Sequence, residues 1–306
     1  MRPGEATSVQ PGASGSPVEL TAGAQVRSRR RRAAAFRWFC MVMTLSGLVF
    51  LALLLYQVLR DGVAWLDLDF LRNFPSRRPE RAGIKSALYG SVWMIGFTAA
   101  FSIPVGVAAA LYLEEYAKPS RLTTFIQINI ANLAGVPSIV YGMLGLVLFV
   151  RGLQFGRSVL AGSLTMSLLI LPVIIIASRE AIRAVPLSMR QAAFALGATR
   201  WQVVRDHVLP AAVPGIITGV ILALSRALGE TAPLIMIGAL TYVAFVPEGP
   251  MDAFTALPIQ IYNWASRPQA EFHELAAAGI IVLLVLLFVL NSAAVYIRYR
   301  AGRRSS

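Results

Sequence analysis

The chain has 306 residues, of which 57% are hydrophobic and 14% are charged, and its mean hydropathy is +0.65. Soluble domains of this length are more polar, so the composition excludes a soluble globular protein and indicates an integral membrane protein. The net charge of +13 could suggest nucleic-acid binding. The N-terminal arginines abut an apolar segment, however, so the lipid bilayer is the expected partner and no nucleic acid is expected.

Residues 1–32 are rich in Gly, Pro, Ser and Arg, which predicts a disordered basic cytoplasmic tail. The apolar run that follows is too long for a cleaved signal peptide, so residues 33–60 are predicted to form the first transmembrane helix. Cys40 is the only cysteine, which excludes an intrachain disulfide. Residues 61–83 are then an external loop. The segment from Arg60 to Lys85 contains six basic residues and is either an electropositive mouth that attracts anions or a solvated loop of mixed charge.

Six windows without ionisable residues are each close to or longer than the ~20 residues that cross a bilayer as a helix. They lack the alternating pattern of barrel strands, and backbone groups in lipid must be hydrogen-bonded within their own element, so helices are expected. The predicted fold class is an all-α integral membrane protein with six transmembrane helices. The windows are residues 38–59, 86–113, 122–150, 158–178, 208–225 and 275–297.

Arginines flank the first span on its N-terminal side and the last span on its C-terminal side, which predicts that both termini are cytoplasmic. Two termini on the same side of the membrane require an even number of spans. With this topology the cytoplasmic segments hold 18 Lys and Arg residues and the external segments hold 9. Residues 231–246 are therefore interpreted as an outward continuation of the fifth helix, bent near Gly229 and Pro233, or as a re-entrant segment.

Residues 179–210 form the one sizeable cytoplasmic insertion. Apolar residues recur there at helical spacing up to Leu196, Gly197 interrupts the pattern, and a second periodic run leads into the bilayer. The pattern predicts a short amphipathic helix, a glycine turn and a second helix. Such a helix either binds a partner or lies on the lipid surface.

The spacing within this insertion resembles the EAA loop of permease subunits of binding-protein-dependent ABC importers. The sequence departs from the family pattern at Gln191, where the family has Glu, and at His207, where Ile is usual. In that family the helix around the motif fits a cleft of the ATPase subunit. The resemblance therefore implies an ATPase-coupling role for Gln191, Ala192, Ala193, Gly197, Leu209 and Pro210.

Three further stretches, beginning at Gly90, Ala131 and Ser225, look like the permease of the phosphate-specific importer, and the last resembles its A-type subunit. The resemblance implies a type I ABC importer permease domain, predicted here over residues 84–298 with a cytoplasmic tail over 299–306. It also implies a paired C-type permease subunit, an ATP-binding subunit and an extracytoplasmic phosphate-binding protein as partners. The expected location is the cytoplasmic membrane, and the expected function is import of inorganic phosphate.

In the second half of window 122–150, small residues recur at helical spacing and form one face, which is interpreted as a surface for helix packing. These residues are Gly135, Ser138, Gly142 and Gly145. On the fifth helix, Gly215, Gly219 and Ala223 form a similar face, and helical geometry places Arg226 and Glu230 on it. Ionisable residues within a span usually face protein or water. They are therefore predicted to line the substrate pathway, with a structural i,i+4 ion pair as the alternative.

The sequence contains no G-x-x-x-x-G-K-[ST] loop, so ATP is expected to be bound and hydrolysed by a partner subunit, with no cofactor in this chain. Two histidines without a cysteine pair give no basis for a metal site, and no nucleophilic triad is apparent, so the chain is not expected to be an enzyme. Three alternatives remain open: a permease for molybdate, sulfate or phosphonate, a secondary transporter, and a membrane scaffold. The docking loop argues against the last two.

Overall fold

The computed structural model describes residues 18–239 and 242–302, and regular structure within them is helical apart from one isolated β-bridge between Ser158 and Ala253. Five helices in these ranges are long and apolar enough to cross a membrane, and one bent helix pair makes six if it counts as a single span. The all-α class is confirmed. The five unbroken candidate spans are Arg32–Trp65, Lys85–Tyr116, Val159–Arg183, Arg200–Gly229 and Ala270–Arg300.

The first helix, α1 (Val18–Gly62), begins well before the predicted span. Residues 18–32, which we predicted to be disordered, are therefore helical, and residues 1–17 lie outside the described part of the chain. The physical reason is that extending an existing helix does not repeat the nucleation cost, and Ala, Arg, Gln and Leu are good helix formers. From Arg32 onward the most apolar window of this helix has no buried residue.

The predicted external loop is partly folded. Helix α2 (Leu68–Arg72) is capped by Asp67, whose carboxylate accepts a hydrogen bond from the Phe70 amide at 2.6 Å. Phe70 is buried, and its ring lies 5.9 Å from that of Trp264. A single 3₁₀ turn, Pro79–Arg81, follows. The loop is thus anchored by an aromatic side chain that composition alone did not reveal.

Two long helices, α3 (Lys85–Leu111) and α6 (Val159–Arg183), form the centre of the second compact unit, which begins at Val58. Buried hydroxyls join them: Ser163 Oγ donates to the Met94 carbonyl at 3.2 Å, and Thr98 Oγ1 donates to the Ser163 carbonyl at 3.3 Å. A Cβ at Gly106 would collide with Ile174, so the helices also approach closely at their other end. A π-helical turn, Tyr112–Tyr116, extends α3.

Window 122–150, predicted as one span, is broken. Helix α4 (Arg121–Ala134) is followed by α5 (Ser138–Gly145) and a π-helical extension to Gly152, and the two parts are bent by 103°. Pro137 explains the break, because the residue before a proline is disfavoured from helical conformation and the proline itself donates no backbone hydrogen bond. Hydropathy averages over such a bend and does not detect it.

The insertion predicted over residues 179–210 has the expected helix, turn and helix. Helix α7 (Leu187–Ala195) ends before Gly197, and α8 (Arg200–Val203) runs through the π-helical turn Val204–Val208 into α9 (Leu209–Gly229). Thr199 and Gln202 form a reciprocal capping box at the start of α8. This segment folds as predicted because its signals are local.

Within residues 231–239 and 242–246 the structure has no separate span, and the predicted break near Gly229 is present. The α9 backbone leaves helical geometry at Glu230, and a separate short helix, α10 (Ala232–Ile237), ends at Gly238 with a φ of 78°. The chain then reaches α11 (Leu257–Ala265) and α12 (Ala270–Gly302). Residues 299–302, assigned to a tail, are the end of α12, and residues 303–306 lie outside the described residues.

Candidate transport pathway and coupling loop

Arg226 lies in the last turn of α9, and Glu230 is the residue at which this helix ends. Arg226 Nε donates to Glu230 Oε1 at 3.1 Å, so the two form an i,i+4 ion pair. The Arg226 side chain is 49% exposed and that of Glu230 is 18% exposed. A guanidinium has five N–H donors. Within the described residues, the hydrogen bond to Glu230 uses one of the five donors of Arg226.

The small-residue face of α9 packs against α6 in a regular antiparallel register. A Cβ on Gly215 would collide with Ala181, and one on Gly219 would collide with Ala177. Extending this register places Arg226 level with Ile170, which is near the middle of α6. Ala223 on the same face is fully buried, whereas Arg226 is exposed at its edge rather than packed within it.

Helices α5 and α10 meet close to this ion pair. A Cβ on Gly142 of α5 would collide with Pro233 of α10, and one on Gly145 would collide with Thr165 of α6. These two members of the predicted small-residue face therefore serve packing. Tyr141 beside them donates to the Leu133 carbonyl at 2.8 Å and lies within electrostatic reach of Arg226.

Gly197 ends α7 in a left-handed conformation, with a φ of 83°. Its amide donates to the Phe194 carbonyl at 2.9 Å, and the Ala198 amide donates to the Ala193 carbonyl at 3.1 Å. These two bonds define a Schellman cap, in which glycine is strongly preferred because a side chain is strained at positive φ. The glycine thus sets the angle at which α7 leaves the rest of the insertion.

The other predicted coupling residues lie on the same insertion. Gln191, Ala192 and Pro210 are exposed, Leu209 is partly exposed, and Ala193 is buried. Large apolar side chains around them are exposed on the surface of the protein. Soluble monomeric proteins seldom expose such residues in a contiguous patch, so the patch is typical of a contact surface. The most exposed are Leu187 at 71%, Leu196 at 90% and Trp201 at 55%, with Phe194 at 48%.

A group of mostly buried ion pairs lies where the ends of α3 and α6 meet α7. Glu114 accepts from Arg179 at 2.7 Å, and Glu115 accepts from Arg190 at 2.9 Å. Sequence analysis did not single out these residues. The available signal was the pair of adjacent carboxylates at the end of an apolar window, followed by arginines in the only long cytoplasmic insertion.

Residues 102–303, more than half of the chain, match the model of a protein family. The family is described as "Binding-protein-dependent transport system inner membrane component". The chain belongs to this family. Its members are inner-membrane transport components, so this is a multi-pass inner-membrane permease.

Relatives of the permease span most of its length. A probable ABC transporter permease protein, YqgI, from Bacillus subtilis is 34% identical over 251 residues, covering 78% of this chain and 85% of the relative. The phosphate transport system permease protein PstA 1 of Mycobacterium tuberculosis H37Rv is 36% identical, covering 72% and 71%. The phosphate transport system permease protein PstA of Haemophilus influenzae is 32% identical, covering 81% and 86%.

Solved structures confirm the fold of the permease. A chain of a bacterial alginate ABC transporter, crystallised with an alginate pentasaccharide-bound periplasmic protein, aligns with a TM-score of 0.63 and 18% identity, covering 86% of this chain and 94% of that one. A chain of the MetNI methionine ABC transporter in an inward-facing conformation aligns with a TM-score of 0.55 and 18% identity, covering 72% and 94%. The predicted type I ABC importer permease fold is confirmed.

Proposed function

We propose that this permease is the transmembrane subunit through which an ABC importer moves inorganic phosphate into the cell, driven by a separate ATP-binding subunit. The names of the M. tuberculosis and H. influenzae relatives support the substrate, since both are phosphate transport system permeases. The observation that carries the proposal is Arg226: a half-exposed arginine on a spanning helix, level with the middle of its neighbour α6.

A charge in this place requires a polar environment. Insertion scales assign ~2.5–3.5 kcal/mol to an arginine at the centre of a membrane helix, so such residues face protein or a water-filled path rather than lipid. Glu230 holds the Nε side of Arg226. The rest of the planar guanidinium suits a tetrahedral oxyanion, which it meets with two parallel hydrogen bonds and a charge that does not titrate.

The partners follow from the surfaces on which they would act. Helix α7 presents the exposed apolar side chains of Leu187 and Phe194 toward the cytoplasm and is the proposed contact of the ATP-binding subunit. The open side of Arg226 faces a paired, C-type permease subunit, which completes the pathway. An extracytoplasmic phosphate-binding protein delivers the substrate from the opposite side.

Both termini are proposed to be cytoplasmic because both carry arginine clusters. A reporter fused after residue 304 is then active in the cytoplasm, and a reporter inserted near Asp252 is active outside. A cytoplasmic signal near Asp252 would refute this orientation or the span count.

Uptake of radiolabelled phosphate tests the substrate directly. Cells that lack other phosphate importers are supplied with the permease and its genomic neighbours, and uptake is measured with excess molybdate, sulfate or phosphonate as competitor. We expect competition by unlabelled phosphate alone. Full competition by another oxyanion assigns that substrate instead, and uptake that persists without any ATP-binding subunit favours a secondary transporter.

A further inference from the structure

Arg190 lies on the exposed helix α7, yet its side chain is only 14% exposed. It folds back toward the end of α6, where it donates to the Ile182 carbonyl at 2.8 Å and to the Val185 carbonyl at 2.5 Å. The last carbonyls of a helix have no intrahelical donor, so a cation there satisfies them and favours the negative end of the helix dipole. Arg190 therefore joins α7 to the end of α6.

The same guanidinium also contacts α3. Its Nε and Nη2 atoms donate to Glu115 Oε1 at 3.2 and 2.9 Å, and the Glu115 side chain is 12% exposed. Glu115 belongs to the π-helical turn that extends α3. One side chain thus connects three elements whose residues are up to 75 positions apart in the sequence.

The neighbouring carboxylate strengthens this junction. Glu114 accepts from Arg179 at 2.7 Å and from Arg183 at 2.9 Å, both on the last turns of α6. Buried hydroxyls also join α3 and α6 near Thr98 and Ser163, so Arg190 is bonded to a helix pair that has side-chain links of its own. Apolar contacts permit sliding, whereas directional, buried, charged hydrogen bonds fix position.

The connection from α7 to α9 is different in kind. It runs through the backbone, across Gly197 with its positive φ, and through apolar packing of α7 on the π-helical turn Val204–Val208, where Ala193 shares a buried cluster with Val208. Within the described residues, the side-chain hydrogen bonds of α7 lead to α3 and α6 and not to α9. A displacement of α7 is therefore transmitted to α3 and α6 through the directional hydrogen bonds of Arg190, and to α9 through a turn and apolar packing.

We propose that Arg190 and Glu115 are positioning residues that transmit movement of α7 to the α3–α6 pair, so that ATP hydrolysis in the partner subunit is converted into opening of the pathway. The proposal rests on the proposed function, in that α7 is the contact of the ATP-binding subunit. It assigns these two residues no contact with substrate or ATP.

The variant Glu115→Gln separates transmission from folding. Arg190 keeps its bonds to the Ile182 carbonyl of α6 and to the Val185 carbonyl just beyond it, so α7 remains in place, while the charged link to α3 is lost. We expect the complex to assemble and hydrolyse ATP, but the amount of substrate imported per ATP to fall by about fivefold or more, the lower end of the range for coupling between sites. Glu180→Gln is the matched control, because that carboxylate is 66% exposed and makes only a 3.4 Å contact with Arg183.

Restoring the link by other means provides the second measurement. In a Cys40→Ser background, the variant Glu115→Cys with Arg190→Cys is compared before and after reaction with a short bifunctional maleimide. We expect low import per ATP before cross-linking and recovery afterwards. Equal values in both states would overturn the proposal, as would a wild-type ratio in Glu115→Gln; if Glu115→Gln fails to assemble, the cysteine pair decides alone.

Failure of the proposed function gives a different result. If the substrate is another oxyanion, wild-type phosphate uptake is absent, whereas the amount of that oxyanion imported per ATP still reports transmission in every variant. If α7 does not contact the ATP-binding subunit, the wild-type complex itself lacks stimulated hydrolysis.

Discussion

Two arginine–glutamate pairs in this permease have similar bond lengths and opposite surroundings. Arg190 and Glu115 are 14% and 12% exposed, lie 75 residues apart, and are joined by two hydrogen bonds, with two backbone carbonyls completing the arginine's environment. Arg226 and Glu230 are one helical turn apart, are joined by one hydrogen bond, and leave the arginine 49% exposed.

The difference separates a charge that is committed to contacts within the protein from a charge that is available to a ligand. A buried guanidinium whose donors are nearly all used has no capacity for a ligand, and its loss leaves an uncompensated partner. A half-exposed guanidinium on a spanning helix retains capacity for a ligand, and its i,i+4 partner contributes little to stability. Burial and donor use therefore indicate the role, although both pairs contain the same residue types.

The sharpest test of this contrast is stability. Glu115→Ala removes one partner of a mostly buried pair and leaves Arg190 without its charged acceptor, so it is expected to lower the free energy of unfolding by about 1.5–3 kcal/mol. Glu230→Ala removes the partner of a partly exposed pair, for which about 1 kcal/mol or less is expected. Thermal unfolding of the purified complexes in one detergent measures both, and equal losses would contradict the comparison.

Substrate transport is expected to depend on the half-exposed pair, and in particular on Arg226. Arg226→Gln is expected to insert, assemble and retain hydrolysis stimulated by the binding protein, while phosphate uptake falls by about tenfold or more, the range for a lost hydrogen bond to a charged group. Arg226→Lys is also expected to be impaired, because an ammonium loses the planar, two-point geometry. Arg121→Gln, which alters an exposed arginine of α4, is the control.

The double variant Arg226→Gln with Glu230→Gln distinguishes the two interpretations of this pair. If the pair is only structural, removing both charges restores what the single change lost. Near-normal uptake in the double variant would therefore refute the pathway role of Arg226.

The smallest effect is expected at Gly197. A β-branched residue is strained at a φ of 83° by roughly 1–2 kcal/mol, although no atom lies within 4 Å of the added Cβ. Gly197→Val is therefore expected to insert normally but to misdirect α7, which lowers import per ATP several-fold. Gly197→Asn should be milder, because asparagine tolerates left-handed conformation. Equal values for Val, Asn and wild type in stimulated hydrolysis and import would exclude this role.

Features that depend on neighbouring residues in the chain were predictable. Helix α7 and its glycine turn were predicted from periodicity and from Gly197, since a Schellman cap is formed by backbone groups a few residues apart. Packing of α9 through Gly215 and Gly219 was predicted for the same reason. The break at Pro137 was missed, although proline is a local signal, because the window was judged by its hydropathy and not by its backbone.

The amino-acid sequence by itself determined which segments are apolar helices, where the coupling loop lies and which family the chain resembles, because these depend on composition and spacing along the chain. Only the tertiary structure decided that Glu115 contacts Arg190, that Phe70 anchors the segment between α1 and α3, and that Arg226 lies at the edge of a packed face. The physical reason is that burial and long-range pairing arise when helices pack, and neither property belongs to a residue in isolation.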